Sequence, residues 1–255
     1  MRLATFNILH GLSPEDGRVD VDRFADAVRL LDADVLALQE VDRNQDRSAH
    51  ADLTAVAAEA MGAPEHRFVA ALSGTPGATW RPATGTEPAD AAGYGVALLS
   101  RYPVLAWETI RLPPVPVAVP MTFAGRRRPV LVRDEPRVAV TAVMDTPRGR
   151  VTVAAVHLTF IPGWNARHLG RLCSALRTCT GPVVLMGDLN MGVGPATRLS
   201  RMQPLALAPT FPVDRPQRQI DHILTDDLTG LAVAAGVGRS HRLALSDHRA
   251  LCVDL

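Results

Sequence analysis

The chain contains no lysine: all 27 of its Lys-or-Arg positions are arginine. A Schiff-base nucleophile and a Walker A phosphate loop both need a lysine, so both are excluded. Cysteine is scarce. Cys173, Cys179 and Cys252 form an odd set without a Cys-x-x-Cys spacing, which supports neither a disulfide framework nor a zinc site. Aromatic residues make up 4% of the chain, and with Trp80, Trp107 and Trp164 as its indoles it shows no stacking platform for single-stranded nucleic acid. No apolar run approaches the roughly 20 residues that span a bilayer. An excess of one charge is missing too. At +1 the chain is less basic than proteins that grip nucleic acid through its phosphates, though a small phosphate site remains compatible.

What is present is an ordinary globular composition over 255 residues, 47% hydrophobic and 21% charged. No linker divides the middle, so one α/β domain over 1–255 is expected. Leu3 to Phe6 reads as a short strand, and Phe24, Val28 and Leu31 recur at helical spacing. Val35 to Gln39 reads as a buried strand ending in Glu40. Leu53, Val56, Ala57 and Ala60 mark a second helix, with Gly62 placed to end it. Further strands are read over Gly95 to Ser100, Val138 to Val143 and Val151 to Thr159, the last two joined by a turn at Pro147-Arg-Gly149. Leu169, Leu172, Cys173 and Leu176 mark a third helix, with Cys173 in its core stripe. Val183 to Gly187 is a continuous apolar run, as for a strand buried on both faces. Ile220 to Leu224 and Leu251 to Leu255 complete the strands. Residues 73–93 read as a surface loop. Residues 112–136, proline-rich and containing Arg126, Arg127 and Arg128, read as a long loop or edge hairpin.

The strand ends share a feature. Asn7 follows the first strand and Glu40 closes the second. Val151 to Val156 runs into His157, and Val183 to Gly187 runs into Asp188, with Asn190 two residues on. Asp221 follows Ile220, and Asp247 and His248 follow Ser246. In α/β sheets, ligands bind where loops leave the strand ends. If these ends converge, carboxylates, amides and imidazoles meet. Carboxylate and amide oxygens suit hard cations such as Mg²⁺ and Mn²⁺. A hard cation polarises a phosphoryl oxygen, and phosphoryl transfer needs mainly positioning and charge neutralisation. A carboxylate such as Asp188 suits the task of orienting and deprotonating a water, and an imidazolium that of stabilising or protonating the leaving oxygen. A second carboxylate would hold that imidazole in place. An acid directly after a buried apolar run, as at Asp188, is costly unless paired or metal-bound.

The blocks ATFNILHG, LALQEVD, YGVALLSRYP, VAAVHLTF, VVLMGDLN, QIDHILT and LSDHRALCVDL, in this order, resemble the endonuclease/exonuclease/phosphatase superfamily over essentially the whole chain. Any one block is weak, whereas the ordered set of QE, HL, GDLN, ID and SDH is specific. The resemblance implies a four-layer α/β sandwich of the deoxyribonuclease-like kind, two mixed β-sheets packed face to face with helices outside. It also implies roles. Asn7, Glu40 and Asp247 look like metal-site residues, with Glu40 the principal ligand. Asp188 resembles the residue that activates water, Asn190 and His248 resemble phosphate contacts, and Asp221 resembles the carboxylate that orients His248. His157 resembles the histidine carried on this strand by pancreatic deoxyribonuclease, sphingomyelinases and inositol-polyphosphate phosphatases. Abasic-site endonucleases usually place a Tyr-x-x-Asn type sequence there.

Secondary candidates for substrate binding are Arg47, His10 and Tyr94. Arg47 also reads as half of a surface Arg–Asp pair. His50, His66, His168 and His241 read as surface residues, and His222 should face away from Asp221. The expected function is that of a divalent-metal-dependent hydrolase of phosphate esters, a phosphodiesterase or phosphatase using Mg²⁺ or Mn²⁺. A small molecule or lipid headgroup is favoured as substrate over nucleic acid. A metal-dependent DNA endonuclease or exonuclease is the alternative, and a catalytically inactive binding module of the same fold the second. No protein partner is expected. The segment MRLATFNILHG reads as a strand rather than a signal peptide, so a cytoplasmic location is expected.

Overall fold

Alternation of apolar residues across two sheets organises the chain. The structure is a computed structural model that describes residues 1–122, 128–179, 181–227, 231 and 238–255. Its main elements are β1 (Arg2–Asn7), α1 (Val21–Leu31), β2 (Val35–Arg43), α2 (Leu53–Met61), β3 (Glu65–Ser73), β4 (Arg81–Pro82), β5 (Gly93–Ser100) and β6 (Val104–Leu112). They continue with β7 (Arg137–Thr146), β8 (Gly149–His157), α3 (Trp164–Leu176), β9 (Val183–Asp188), α4 (Val193–Ser200), β10 (Gln203–Pro204), β11 (Asp221–Thr225), β12 (Arg239–His241) and β13 (Ala250–Asp254). Among the described residues, a seven-stranded sheet runs β12-β13-β1-β2-β5-β3-β4 and a six-stranded sheet runs β10-β11-β9-β8-β7-β6. Both are mixed: β1 pairs with β2, and β8 with β9, in parallel, and their other neighbours are antiparallel.

Side chains on successive strand positions face opposite sides. Leu3, Val35, Ala37 and Leu98 of the first sheet interleave with Val140, Val153, Met186 and Ile223 of the second. The alternate residues Phe6, Leu36, Leu38 and Leu99 lie under Phe24, Val28 and Leu53 of α1 and α2. On the other outer face, Ala154, Val156 and Leu185 pack under Leu169, Leu172 and Cys173 of α3 and Ala196 of α4. The layers are therefore helix, sheet, sheet, helix, the four-layer sandwich the sequence led us to expect. Each fully buried Leu or Phe contributes about 1.5–3 kcal/mol to this packing. The helices start where their sequence allows. Asp20 caps α1 by accepting from the Arg23 amide, and Asp52 caps α2 by accepting from Thr54 and Ala55.

Some elements differ from the sequence reading. β2 continues past Glu40 to Arg43. β3, β6 and α4 occupy stretches where no element was read. β6 is largely exposed at the flank, β3 opens with the polar run Glu65, His66 and Arg67 before its buried end, and α4 carries Gly194 and Pro195 in its first turn. Within 112–136, Val119–Met121 pairs with Val130–Val132. Arg126 and Arg127 of the arginine run lie outside the described residues. His168 is not a surface residue: it is buried, with Nε2 2.8 Å from the Pro113 carbonyl oxygen.

One close approach fixes the register next to the candidate site. Gly187 has φ +144°, and a Cβ there would run into the Val156 carbonyl of the neighbouring strand. Gly187→Ala should push β9 off β8 and cost roughly 1–3 kcal/mol. Gly170→Ala, with open space at an exposed helix position, should instead stabilise by about 0.4–1 kcal/mol. Thermal unfolding of the two variants checks this, and equal midpoints would contradict it.

Candidate active site

The inner-face positions at one end of the sandwich are polar. Asn7 stands two residues beyond Thr5 on β1, His157 two beyond Ala155 on β8, and Asp188 two beyond Met186 on β9. Asp221 stands two before Ile223 on β11. Pairing aligns His157 with Asp188 and Asp188 with Asp221. Glu40 reaches this end by a different route. Val35, Ala37 and Gln39 face the other sheet, so strict alternation would send Glu40 outward. A bulge between Gln39 and Val41 gives Glu40 a φ of +58°, and Val41 takes the outward place. Asn190 (φ +51°) and Ser246 (φ +70°) are also left-handed non-glycine residues. Backbone of this kind costs about 1–3 kcal/mol per residue and concentrates at functional sites.

The side chains meet across the two sheets. Asn7 Nδ2 donates to Glu40 Oε1 at 3.0 Å and to Asp188 Oδ2 at 3.2 Å. The Asn190 amide donates to Asp188 Oδ1 at 2.8 Å. His157 Nε2 lies 3.6 Å and His248 Nε2 3.9 Å from Asp188 Oδ2. His248 Nδ1 sits 2.9 Å from Asp221 Oδ2, and its Nε2 is 4.0 Å from Asp247 Oδ1. Ser246 Oγ donates to the Asn7 carbonyl at 2.6 Å and accepts from the His248 amide at 3.0 Å, tying the loop before β13 to the end of β1.

Burial raises the Asp188 carboxyl above the usual range, reinforced by the Asp221 charge. Burial also raises Glu40, against the hydrogen bond from Asn7. The two imidazoles are driven apart. Burial alone would lower His248, but the charge and hydrogen bond of Asp221, with Asp188 and Asp247, lift it to about 10. His157 is pushed well below its ordinary value by burial and then by the Arg137 charge. Arg137, itself buried, has Nη1 3.2 Å from His157 Nδ1. A guanidinium has only donors, so Nδ1 must accept and the ring proton must sit on Nε2.

The sequence reading missed Arg137. An arginine at the start of an apolar strand gave no sign that its head would turn onto His157. The other expected residues fall as follows. Tyr94 is close enough to Glu40 for burial and that charge to raise its hydroxyl well above the ordinary value. Arg47 forks onto the fully buried Asp42 with two bonds of 2.7 Å, and its guanidinium lies 5.4 Å from the Tyr94 ring. His10 is lowered by burial and by Arg47, and feels Asp42 and Asp247. His222 faces away from Asp221, with Nε2 2.9 Å from the Met191 carbonyl.

The donor set fits a hard divalent cation. Glu40 has the Asn7 amide as its hydrogen-bond partner, Asp247 is half-exposed, and Asp221 Oδ1 is buried with no partner. Ligand atoms of Asp188, Asp221 and His248 also lie within 4.8 Å of one another, but the Asp221–His248 pair is already engaged with itself. Glu40 and Asp247 are the freer oxygens. Asn7 turns its amide nitrogen to the carboxylates while its Oδ1 accepts from the Leu9 amide at 3.2 Å. It would offer that oxygen to a cation only with the amide turned over.

Residues 4–248 match the model of the Endonuclease/Exonuclease/phosphatase family. A search of curated proteins found no match. Among solved structures, an endonuclease/exonuclease/phosphatase from Beutenbergia cavernae is 22% identical, with TM-score 0.63 over 99% of this chain and 70% of that one. Sphingomyelinase C from Streptomyces griseocarneus is 17% identical, with TM-score 0.64 over 99% and 98%. A mannosyl-6-phosphatase from Bacteroides thetaiotaomicron is 15% identical, with TM-score 0.60 over 100% and 98%. At such identities the likeness is one of fold.

Two measurements follow from the imidazoles. Because the His248 pKa is raised, the stabilisation from its pairing is complete below about 6.5 and is lost as pH rises through about 10. Asp221→Asn should bring the His248 titration, followed by NMR in metal-free protein, down, and should cost roughly 3–5 kcal/mol at pH 7. An unmoved titration would contradict the pairing. For His157, imidazole ¹⁵N shifts should show the Nε2–H tautomer, and Arg137→Met should raise its pKa. An Nδ1–H tautomer in the wild type rules out the Arg137 contact.

Proposed function

The chain belongs to the endonuclease/exonuclease/phosphatase family, and from that premise we propose that it is a divalent-metal-dependent phosphoric ester hydrolase in which a carboxylate-activated water attacks phosphorus in line. The observation that carries this reading is the buried carboxylate of Asp188, faced by the nitrogens of His157 and His248 at the ends of strands from both sheets.

Asp188 is the base. Burial makes its carboxylate more proton-seeking, and the Asn190 amide fixes one oxygen while leaving the other toward the imidazoles. With its proton on Nε2, His157 directs a donor at the same space as Asn190 Nδ2, 3.3 Å away. Asn190 Nδ2 donates one proton to the Leu158 carbonyl at 3.0 Å, and a phosphoryl oxygen beside the pair would accept its other proton together with that of His157 Nε2. His248, kept charged and oriented by Asp221, stabilises or protonates the leaving oxygen. Glu40 and Asp247, with Asn7 once its amide is turned, would hold Mg²⁺ or Mn²⁺. When bound, that cation neutralises charge on the phosphoryl group. Arg47, Tyr94 and His10 line the approach, where the free edge of the Arg47 guanidinium would meet substrate.

A small phosphate ester or lipid headgroup is the favoured substrate. In support, similarly folded proteins carry the names sphingomyelinase C and mannosyl-6-phosphatase, and the net charge is +1. No helix among the described residues is long and apolar enough to cross a membrane. Residues 1–255 act as one domain in this reading, since β13 at one end of the chain pairs with β1 at the other.

The test is turnover by EDTA-stripped protein given Mg²⁺ or Mn²⁺. The substrates are bis-p-nitrophenyl phosphate, p-nitrophenyl phosphate and supercoiled plasmid, each repeated with Asp188→Ala. Ester cleavage without plasmid nicking is expected, reduced roughly 10²–10⁴-fold in the variant. Nicking that disappears in Asp188→Ala would make the protein a nuclease. No metal-dependent turnover of any substrate would leave the binding module.

A further inference from the structure

A cavity of about 800 Å³ lies on the flank of the sandwich and contains none of the residues of the acid–imidazole cluster. Both sheets have open edges here. β6 ends the second sheet, and β3 is covered by β4 only at Leu72 and Ser73. Arg67 of β3, Arg111 of β6, Arg171 of α3 and Arg43 at the end of β2 all line the cavity. Among the described residues none of these four has a carboxylate partner, a condition shared by other arginines such as Arg150 and Arg177; what sets the four apart is that they face one cavity. With a net charge of +1, four guanidiniums gathered on one cavity are a local concentration of positive charge and not a general excess of base. The acid in the lining, Glu87, is taken up by its own turn, accepting from Thr84 Oγ1 and from the Gly85 amide at 2.8 Å each.

The guanidiniums are held in place. Arg43 lies 4.8 Å from the Phe68 ring centroid and Arg67 5.2 Å from that of Trp107. The ring contact restrains each head, and neither guanidinium spends an N–H on a hydrogen bond within the described residues. Arg43 Nε is buried with no hydrogen-bond partner. Arg111 reaches across from the second sheet to the Ala70 carbonyl at 3.3 Å. Its head fits beneath the 84–87 turn because Gly85, at φ +92°, has no Cβ; one would stand 2.7 Å from Arg111 Nη2. Open strand edges are commonly guarded by charge. Guarding accounts for one arginine on each edge, but not for two stacked heads and a third carried over from the opposite sheet.

We propose that this groove is a second binding site, separate from the catalytic cluster, for a small polyanion carrying two or more phosphate groups. Guanidinium forks match phosphate oxygens in pairs. A volume of about 800 Å³ suits a small-molecule ligand. A single nucleic-acid strand would want aromatic faces for its bases, and here Phe68 and Trp107 are already occupied by Arg43 and Arg67.

Titration calorimetry on the metal-free full-length protein, with inositol hexakisphosphate and pyrophosphate as probes, tests this at physiological salt. The wild type should bind inositol hexakisphosphate more tightly than pyrophosphate. Loss should be roughly tenfold for each guanidinium removed in Arg67→Gln plus Arg111→Gln. Arg171→Gln, at an exposed helix position, should also weaken binding and serves if the double variant fails to fold. His248→Gln should leave binding within about threefold of wild type. No binding by the wild type overturns the proposal. So does binding that survives in the groove variants and vanishes in His248→Gln, which would put the anion in the catalytic cluster. A single-stranded oligonucleotide that binds more tightly than inositol hexakisphosphate would overturn the ligand class.

Discussion

A carboxylate sealed between two sheets must be met by donors, and the chain meets that demand at Asp188 with groups from both layers. Asp188 is 1% exposed. Asn7 from the first sheet and the Asn190 amide from the second donate to it, and two imidazoles face it. An unpaired charge at that depth would cost several kcal/mol, so the ends of β1, β8, β9 and β11 have to keep their register. That register is itself set by the alternating core, since a slip of one residue on any strand would turn its whole apolar set outward. The geometry of the acid–imidazole cluster and the packing of the sandwich are thus one constraint seen from its two ends.

Around that carboxylate, two histidines of the same intrinsic chemistry acquire different properties from one neighbour each. Asp221 makes His248 a cation, and Arg137 makes His157 a neutral donor with its proton on Nε2. One residue type thus supplies both a charged acid and a fixed neutral donor by environment alone. The left-handed backbone at Glu40, Asn190 and Ser246 is the cost of aiming those groups inward, offset by the buried core beneath them.

Much of this was legible in the sequence. Short apolar runs that meet a polar residue at Asn7, His157, Asp188 and Asp221 mark the strand ends, and the ordered blocks pointed to the four-layer sandwich. The position of Glu40 at a strand end could be read, but the bulge that turns it inward could not, because bulges follow from pairing with a neighbouring strand. Arg137 was hidden for the same reason: its partner lies 20 residues on, across a hairpin. β6 escaped because an edge strand is wetted on more than one side and loses its pattern, and β3 because it opens with the polar Glu65, His66 and Arg67. His168 was misread because its acceptor, Pro113, lies 55 residues away in the proline-rich segment. The arginine groove draws on four separate elements, and no spacing announces it.

If Glu40 and Asp247, beside Asp188, hold a hard cation as proposed, titration calorimetry of Mn²⁺ into EDTA-stripped protein shows it most directly. Because burial raises the Glu40 and Asp188 carboxyls, binding should release protons and the measured heat should vary with the ionisation enthalpy of the buffer. Expected are saturable binding in the wild type and an affinity at least about tenfold weaker in Glu40→Gln, with the fold intact by circular dichroism. Equal Mn²⁺ affinity in both proteins, or none in either, would contradict a metal role for this cluster.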